Sequence, residues 1–446
     1  MEDRRSFKTA LIAMTTLFFA WGFVTSLLDP LVAAVKSIFT LSDVEAQLSA
    51  FAFFIAYGLA SFPAAALIAR VRQVPAILIA LGMMAAACLV MLAAANLAVY
   101  PLVLIGLFIL AGGITVLQVA ANPLVAALGR PEGSHFRLTL SQTFNSLGTF
   151  IGPFIGAVLF LKGLEVDSAV GSSAAARDAA LAGIDRAYFW IFGLLVLLFA
   201  FFWLNRKTVA AACPPSQPPR RIGTLISEAL SSRWALLGGA AIFLYVGAEV
   251  AIGTQMALFL SSEPIWGKSD AFLSFPLFGA IIGSDGVAGA SLQQAGKAVA
   301  CYWGGAMVGR AIGTVLLARF SAGKLMAVFA FIAAVLCAFV IVVGGVPAGF
   351  AALSIGLFNS IMFPVIFTLT LERSTASEEA TSGFLCTAIV GGAFVPLLVG
   401  SVSDRFGYST AFVVPLVCYG LLCLFALGAT RIKVRENATA AVTDPG

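Results

Sequence analysis

Long apolar runs separated by short polar segments recur along the whole chain. Residues 9–28, 76–99 and 325–346 carry no charge over roughly the 20 residues that a helix needs to cross a hydrocarbon core about 30 Å thick. A spanning backbone must satisfy its own hydrogen bonds, so such runs form helices; barrel strands would alternate apolar and polar residues over about ten positions. The pattern therefore predicts an all-α membrane protein.

Charge clusters and proline or glycine breaks divide this pattern into twelve transmembrane helices. A polar, proline-rich stretch after the sixth helix suits a cytoplasmic linker. We predict an N-terminal six-helix bundle over 1–205, a linker over 206–232, a C-terminal six-helix bundle over 233–431 and a polar tail over 432–446. The helices are expected near 8–36, 46–70, 74–97, 101–128, 136–162, 187–205, 233–260, 292–318, 324–344, 347–372, 380–402 and 408–430.

The two halves share a faint internal repeat. Gly148 and Pro153 in the fifth helix recur as Gly391 and Pro396 in the eleventh with the same spacing. One large class of secondary transporters is built from two parallel six-helix repeats, with the solute bound between them near the middle of the membrane. We therefore expect a solute site between the halves.

The amino-acid composition supports a membrane protein and argues against other classes of protein. The chain is 61% hydrophobic and 11% charged, whereas soluble proteins carry about a quarter charged residues. The net charge of +5 gives no indication of a nucleic-acid partner, and the seven cysteines form no close pair, so we expect no disulfide framework and no metal site. About two thirds of the lysines and arginines fall on segments that are cytoplasmic if the N-terminus is inside, which predicts a bacterial inner-membrane protein with both termini in the cytoplasm.

Two acidic residues inside the apolar runs are candidates for ion coupling, because a carboxylate in a spanning helix is costly unless it faces a wet cavity or a partner. Asp29 ends the first apolar run and precedes Pro30, which removes a backbone hydrogen bond. Glu249 lies about 24 Å into the seventh helix. The alternatives are a capping carboxylate at the outer interface for Asp29 and a structural ion pair with Arg310 for Glu249.

Side-chain amides form a second candidate set. Gln118 and Asn122 share one face of the fourth helix, and Gln142 and Asn145 belong to a polar stripe in the fifth. Amides offer donors and acceptors to several sugar hydroxyls at once, although they also bridge membrane helices. The expected substrate-binding residues are Gln118, Asn122, Gln142, Asn145, Glu249 and Asn359, and the expected coupling residues are Asp29 and Glu249.

Motifs for catalysis are missing from the sequence. There is one histidine, His135, and there is no H-x-x-x-H pair, no G-x-S-x-G and no phosphate loop. We therefore expect no catalytic residue and no cofactor, and the membrane carboxylates are interpreted as proton carriers instead.

Four segments carry a resemblance to a known family. They are LQVAANP at 117–123, HFRLTLSQTFNS at 135–146, YVGAE at 245–249 and Asp29 at the end of the first helix. Together they resemble the fucose/galactose/glucose:proton symporter family of the major facilitator superfamily, over nearly the whole chain. The resemblance implies the superfamily fold of two six-helix bundles.

The resemblance also carries expectations for single positions. Asp29 matches the first-helix aspartate that takes part in substrate and proton handling in the fucose symporters. Gln118 stands where those symporters have a second essential glutamate, and Glu249 stands where they have a glutamine. Both differences resemble the glucose/galactose branch, which includes N-acetylglucosamine carriers.

These observations predict a monomer in the lipid bilayer that imports a hexose or hexosamine, most simply with a proton, by alternating access. Sodium coupling and an uncoupled sugar carrier remain open, and a drug exporter or a sugar sensor are more distant alternatives. An exporter usually has an apolar, aromatic cavity, whereas acids and amides are expected here. The run GSVSDRFG at 400–407 is expected to fix helix ends rather than to bind a ligand.

Overall fold

The computed structural model describes residues 2–127, 134–162, 164, 174–211, 222–284, 286, 288–317 and 319–431. Within these ranges, the side chains of residues 2–10, 122–123, 126–127 and 134–140 and of a few isolated helix positions lie outside the description. The described chain contains no strand and has twelve helices long and apolar enough to cross a membrane. The expected all-α fold with twelve spans is confirmed.

We number the spans α1 to α12 in chain order. The first six are α1 (Glu2–Ser26 and Leu28–Phe39), α2 (Asp43–Val71), α3 (Gln73–Leu97), α4 (Tyr100–Ala127), α5 (Ser134–Phe160) and α6 (Ala174–Ala211). The second six are α7 (Arg233–Ser261), α8 (Leu292–Leu317), α9 (Ala322–Val343), α10 (Gly345–Asn359 and Met362–Leu371), α11 (Glu378–Thr387, Ala388–Val390 and Gly391–Phe406) and α12 (Tyr408–Ala411 and Val413–Arg431).

The break in α1 lies at Leu27, two residues before Asp29. Leu27 separates the two segments of the helix, and Pro30, in the first turn of the second segment, has no N–H to donate to the preceding turn. The sequence pattern thus places the candidate acid where the helix is locally open.

The junction between α1 and α2 is a tight turn. Thr40 ends α1 in the left-handed conformation, with a φ of 50°. Ser42 then starts α2 with a capping box, in which its hydroxyl accepts from Glu45 N at 3.2 Å and Glu45 Oε2 accepts from Ser42 N at 2.8 Å. This cap fixes Asp43 as the first residue of α2.

One predicted helix start differs clearly from the structure. We expected the sixth helix near 187–205, but α6 spans Ala174–Ala211. Its first turns carry Arg177, Asp178 and Asp185, so a boundary drawn by hydropathy excludes them although the backbone is already helical.

The predicted linker over 206–232 is partly helical. Its first residues continue α6, and a short helix occupies Ile222–Ser231. The intervening residues 212–221, with the prolines that suggested a linker, lie outside the described ranges.

The repeated glycines have the same packing role in both halves. A Cβ atom at Gly148 of α5 would lie 2.4 Å from the carbonyl oxygen of Phe19 in α1, and a Cβ atom at Gly391 of α11 would lie 1.9 Å from that of Phe243 in α7. Each glycine lets two helices approach closely. The pairs α1–α5 and α7–α11 are therefore equivalent, as the repeat predicts.

The largest contacts between the halves join α1 with α7, α2 with α11, and α5 with α8, and α1 also contacts α8 while α2 also contacts α7. The rings of Phe51 and Phe394 meet edge to face at 5.5 Å between α2 and α11, and Phe150 of α5 packs against Gly304 of α8. The candidate acids and several of the candidate amides lie on these interface helices.

Candidate substrate and coupling site

The two candidate acids approach each other where α1 meets α7. Asp29 is only 4% exposed, and a Cβ atom at Gly253 of α7 would lie 3.1 Å from its Oδ1. Glu249 is four residues before Gly253, so it lies one turn, or about 6 Å, along the same face of α7. The fold therefore brings one acid from each half to the same level of the membrane.

Asp29 is held by a residue of the opposite half. The indole Nε1 of Trp303 in α8 donates to Asp29 Oδ2 at 2.6 Å. Sequence reasoning missed Trp303, because a tryptophan within an apolar span is usually a packing residue. The available signal was its position near the middle of α8, since membrane tryptophans concentrate at the interfaces.

Glu249 is held by residues of its own half. The hydroxyl of Tyr245, one turn earlier in α7, donates to Glu249 Oε1 at 2.7 Å. Tyr302 in α8 donates to the backbone oxygen of Glu249 at 3.3 Å. Glu249 itself is partly exposed, whereas both tyrosines are buried. Because an exposed carboxylate against lipid would be costly, its open side is expected to face water between the halves.

Asn359 lies behind this site. It is fully buried, and its Nδ2 donates to Tyr302 Oη at 2.7 Å and, more weakly, to Tyr419 Oη at 3.4 Å. In this conformation it reaches the acids only through Tyr302. The depth of Asn359 in the membrane was predictable from the sequence, but the side of α10 on which it lies was not.

Arg310 bridges three helices. Its Nη1 donates to Ser146 Oγ of α5 at 2.6 Å, and its Nε donates to the Ser360 oxygen of α10 at 3.4 Å. Across the described residues, no ion pair joins it to Glu249. The structural ion pair considered for Glu249 is therefore not formed in this conformation.

The candidate amides are used in different ways. Gln118 Nε2 donates to Tyr57 Oη at 3.0 Å, and Asn145 Nδ2 donates to the Phe18 oxygen of α1 at 3.0 Å, so Asn145 ties α5 to α1. Gln142 is partly exposed, and its side chain has no hydrogen-bond partner among the described residues. Asn122 lies on α4, but its side chain is outside the description.

Hydrogen bonds between the halves concentrate at one end of the bundle, which carries the α1–α2, α7–α8 and α11–α12 connections. We call it the α1–α2 end. The bond farthest from it joins Ser146, near the middle of α5, to Arg310, which lies in the second half of α8. Toward the α1–α2 end, the bonded pairs are Asp29–Trp303, Gln47–Thr254, Asp43–Ser403, Asp43–Asp404, Val44–Asp404, Asp43–Tyr408 and Lys36–Tyr408.

Comparison with known proteins gives consistent matches over nearly the whole chain. A family model described as Major Facilitator Superfamily matches residues 11–374. The chain is 38% identical to a glucose/galactose transporter of Brucella abortus, with 96% of this chain and 95% of that protein covered. It is 29% identical to the L-fucose-proton symporter of Escherichia coli, with 95% and 93% covered. The crystal structure of the E. coli fucose:proton symporter superposes with a TM-score of 0.67 at 26% identity, covering 95% of this chain and 99% of that one.

Proposed function

This chain belongs to the major facilitator superfamily and, within it, to the fucose/galactose/glucose:proton symporter family, and from this premise we propose that it is a secondary active transporter importing a hexose or hexosamine together with a proton. It is a membrane transporter and not an enzyme. The identity to the glucose/galactose transporter exceeds that to the L-fucose symporter, which favours a substrate of the glucose/galactose type.

The meeting of Asp29 and Glu249 between the halves is the observation that carries this proposal. A buried carboxylate that loses its partner is strongly destabilised unless it takes up a proton. Asp29 is bonded across the interface, so its partner changes when the halves separate. We assign the main coupling role to Asp29, and Glu249, one turn away along α7, adds a second titratable group.

The sugar-facing groups proposed around these acids are polar side chains with free hydrogen-bonding capacity. Glu249 offers its second carboxylate oxygen, Gln142 its whole amide, and Gln118 its carbonyl oxygen and a second N–H. Asn122 completes the N-terminal side in this proposal, whereas Asn145, whose Nδ2 donates to the Phe18 oxygen, mainly holds α5 against α1. Asn359 contributes by holding Tyr302 against Glu249.

The placement of the contacts between the halves supports transport by alternating access. With both termini in the cytoplasm, as the distribution of lysine and arginine predicts, the α1–α2 end is extracellular. Bonds at that end and at the middle then correspond to a state closed to the outside. The proposed cycle requires a second state in which these bonds are broken and the halves meet at the cytoplasmic side.

Purified protein in proteoliposomes provides the test. Counterflow of radiolabelled glucose, galactose, N-acetylglucosamine and L-fucose would identify the substrate. Imposed gradients of protons and of sodium would then identify the coupling ion. Accumulation driven by sodium alone would replace the proton in this proposal, and absence of exchange for every sugar would reject sugar transport itself.

A further inference from the structure

Two consecutive residues of α8 each contact one of the candidate acids. Trp303 donates to the Asp29 carboxylate at 2.6 Å, and Tyr302 donates to the Glu249 backbone oxygen at 3.3 Å. Their rings pack edge to face at 5.1 Å, and Tyr302 is fixed from behind by Asn359. The Trp303 indole is therefore aimed at Asp29 by a buried network.

The strength of the hydrogen bond from Trp303 to Asp29 depends on whether Asp29 is ionised. An indole N–H is a donor only, and its hydrogen bond is stronger when the acceptor is a charged carboxylate than when it is a neutral acid. Protonation of Asp29 therefore weakens this contact between the halves. Opening of the α1–α2 end, conversely, removes the indole from Asp29.

From this geometry, and resting on the proposed function, we propose that Trp303 is the positioning residue for the coupling acid: it holds ionised Asp29 across the interface in the closed state and releases it when the acid is protonated. Among the charged groups on the helices around Asp29, Lys36 of α1 is paired with Asp43 of α2. Glu249 on α7 is the acid nearest along the helix. On α8, Lys297 donates to the Ile282 oxygen, and Arg310 donates to Ser146. The described side chains of α5, residues 141–160, include no charged group.

The test is Trp303→Phe in proteoliposomes, since phenylalanine keeps the ring and removes the N–H. Sugar counterflow at equal pH should stay within about twofold, while accumulation driven by a pH gradient should fall at least about fivefold. Losing a bond to the ionised acid should move the pH midpoint of uptake upward by about one unit. The matched control is Trp266→Phe, which removes an indole N–H that donates to the Val346 oxygen within the same half.

A double substitution separates positioning from packing. In the Asp29→Asn background, Trp303→Phe should no longer shift the pH dependence of uptake, because the bond that it removes has already lost its charged acceptor, whereas a packing role would lower the counterflow rate in both backgrounds. An unchanged pH midpoint and accumulation in Trp303→Phe would overturn the inference. Absence of sugar exchange in the unaltered protein would instead reject the proposed function.

A second, independent observation concerns the run 400–407 at the end of α11. The carboxylate of Asp404 accepts from the backbone N–H groups of Asp43 at 2.7 Å and Val44 at 3.0 Å, so it caps α2 of the opposite half. Ser403 Oγ donates to Asp43 Oδ2 at 2.8 Å, and a Cβ atom at Gly400 would lie 3.0 Å from the Asp43 oxygen. The run does fix a helix end, as expected, but that end belongs to the other half.

Neighbouring side chains complete the contact. Tyr408 Oη donates to Asp43 Oδ1 at 3.0 Å, and Lys36 forms an ion pair with Asp43 and contacts Tyr408 Oη at 2.7 Å. Gln255 Nε2 donates to Ser403 Oγ at 3.0 Å. Lys36 offsets the negative charge that Asp43 and Asp404 bring together.

The geometry points to a latch: Asp404 and Ser403 of the C-terminal half form hydrogen bonds with the start of α2 in the N-terminal half and hold the α1–α2 end closed. Charge-assisted hydrogen bonds of this kind are strong, so their loss should shift the equilibrium toward the open state by about tenfold or more. This inference does not depend on which solute is carried.

Distance measurements between spin labels at Thr40 and Phe406 test the latch, because both positions are exposed and lie on opposite halves at this end. In Asp404→Asn, the population at long distance should rise about tenfold relative to the unaltered protein. Glu263→Gln is the control, since its ion pair with Lys268 lies on the exposed α7–α8 connection. A distance distribution in Asp404→Asn equal to that of the control would overturn the latch.

Discussion

Replacing Glu249 by glutamine removes a charge from the site while keeping its shape. Glutamine can still accept from Tyr245 through its carbonyl oxygen, so the bond now 2.7 Å long has a neutral replacement. Hydrogen bonds to charged groups contribute about 1.5–3 kcal/mol and neutral ones about 0.5–1.5 kcal/mol. If the free carboxylate oxygen binds a sugar hydroxyl, the substitution should cost about 1 kcal/mol, or roughly five- to tenfold in sugar affinity.

Glu249→Gln also affects Asp29, because it removes the negative charge of a nearby carboxylate. Glu249 lies about one turn from Gly253, whose Cβ position is 3.1 Å from Asp29 Oδ1, so carboxylates of Glu249 and Asp29 would be separated by roughly 6–10 Å. At an effective dielectric constant near 20, their repulsion is about 2–3 kcal/mol, equivalent to one to two pH units. Removing this repulsion stabilises the ionised form of Asp29. The pH midpoint of uptake should therefore move downward, opposite to the shift expected for Trp303→Phe.

Calorimetry measures the effect of Glu249→Gln on sugar affinity, and uptake by proteoliposomes as a function of pH measures its effect on the pH midpoint. Accumulation of sugar should persist in this variant. Arg310→Gln is the companion variant. Because Arg310 donates to Ser146 and to the Ser360 oxygen, a second substitution at Glu249 should not rescue it. Unchanged affinity and pH midpoint in Glu249→Gln, or rescue of Arg310→Gln by it, would refute this reasoning and make Glu249 a structural partner of Arg310.

Three further outcomes are expected. Asp29→Asn should retain sugar counterflow but lose accumulation driven by a pH gradient, and accumulation in this variant would contradict its coupling role. Gln142→Ala should weaken sugar binding by about 1–3 kcal/mol in calorimetry, whereas Asn145→Ala, whose amide binds the α1 backbone, should mainly lower the melting temperature in detergent. Gly148→Ala should destabilise the α1–α5 contact by about 1–3 kcal/mol, while Gly193→Ala, with no atom within 4 Å of the added carbon, should leave the melting temperature unchanged.

The spans were predictable because hydrocarbon thickness sets helix length, and the repeat was visible because Gly148 and Gly391 each sit against a backbone. The prediction failed at the start of α6, because the first turns of this helix carry charged residues that a hydropathy boundary excludes. It also failed for Trp303, because its acceptor lies 274 residues away and an apolar span shows no sign of such a bond. The helical period groups residues on one face of a helix, but it does not tell which face meets the other half. The sequence therefore could not show that Asn359 lies behind the site.

The two acids differ in which half of the protein supplies their hydrogen-bond donors. Glu249 is bonded by Tyr245 and Tyr302, which belong to its own half and move with it when the halves rock. Asp29 is bonded by Trp303 of the opposite half, so any movement that opens the α1–α2 end changes its surroundings. Coupling requires a group whose preference for the proton differs between the two states. Asp29 meets that condition through its position, whereas Glu249 can offer sugar the same oxygen in both states.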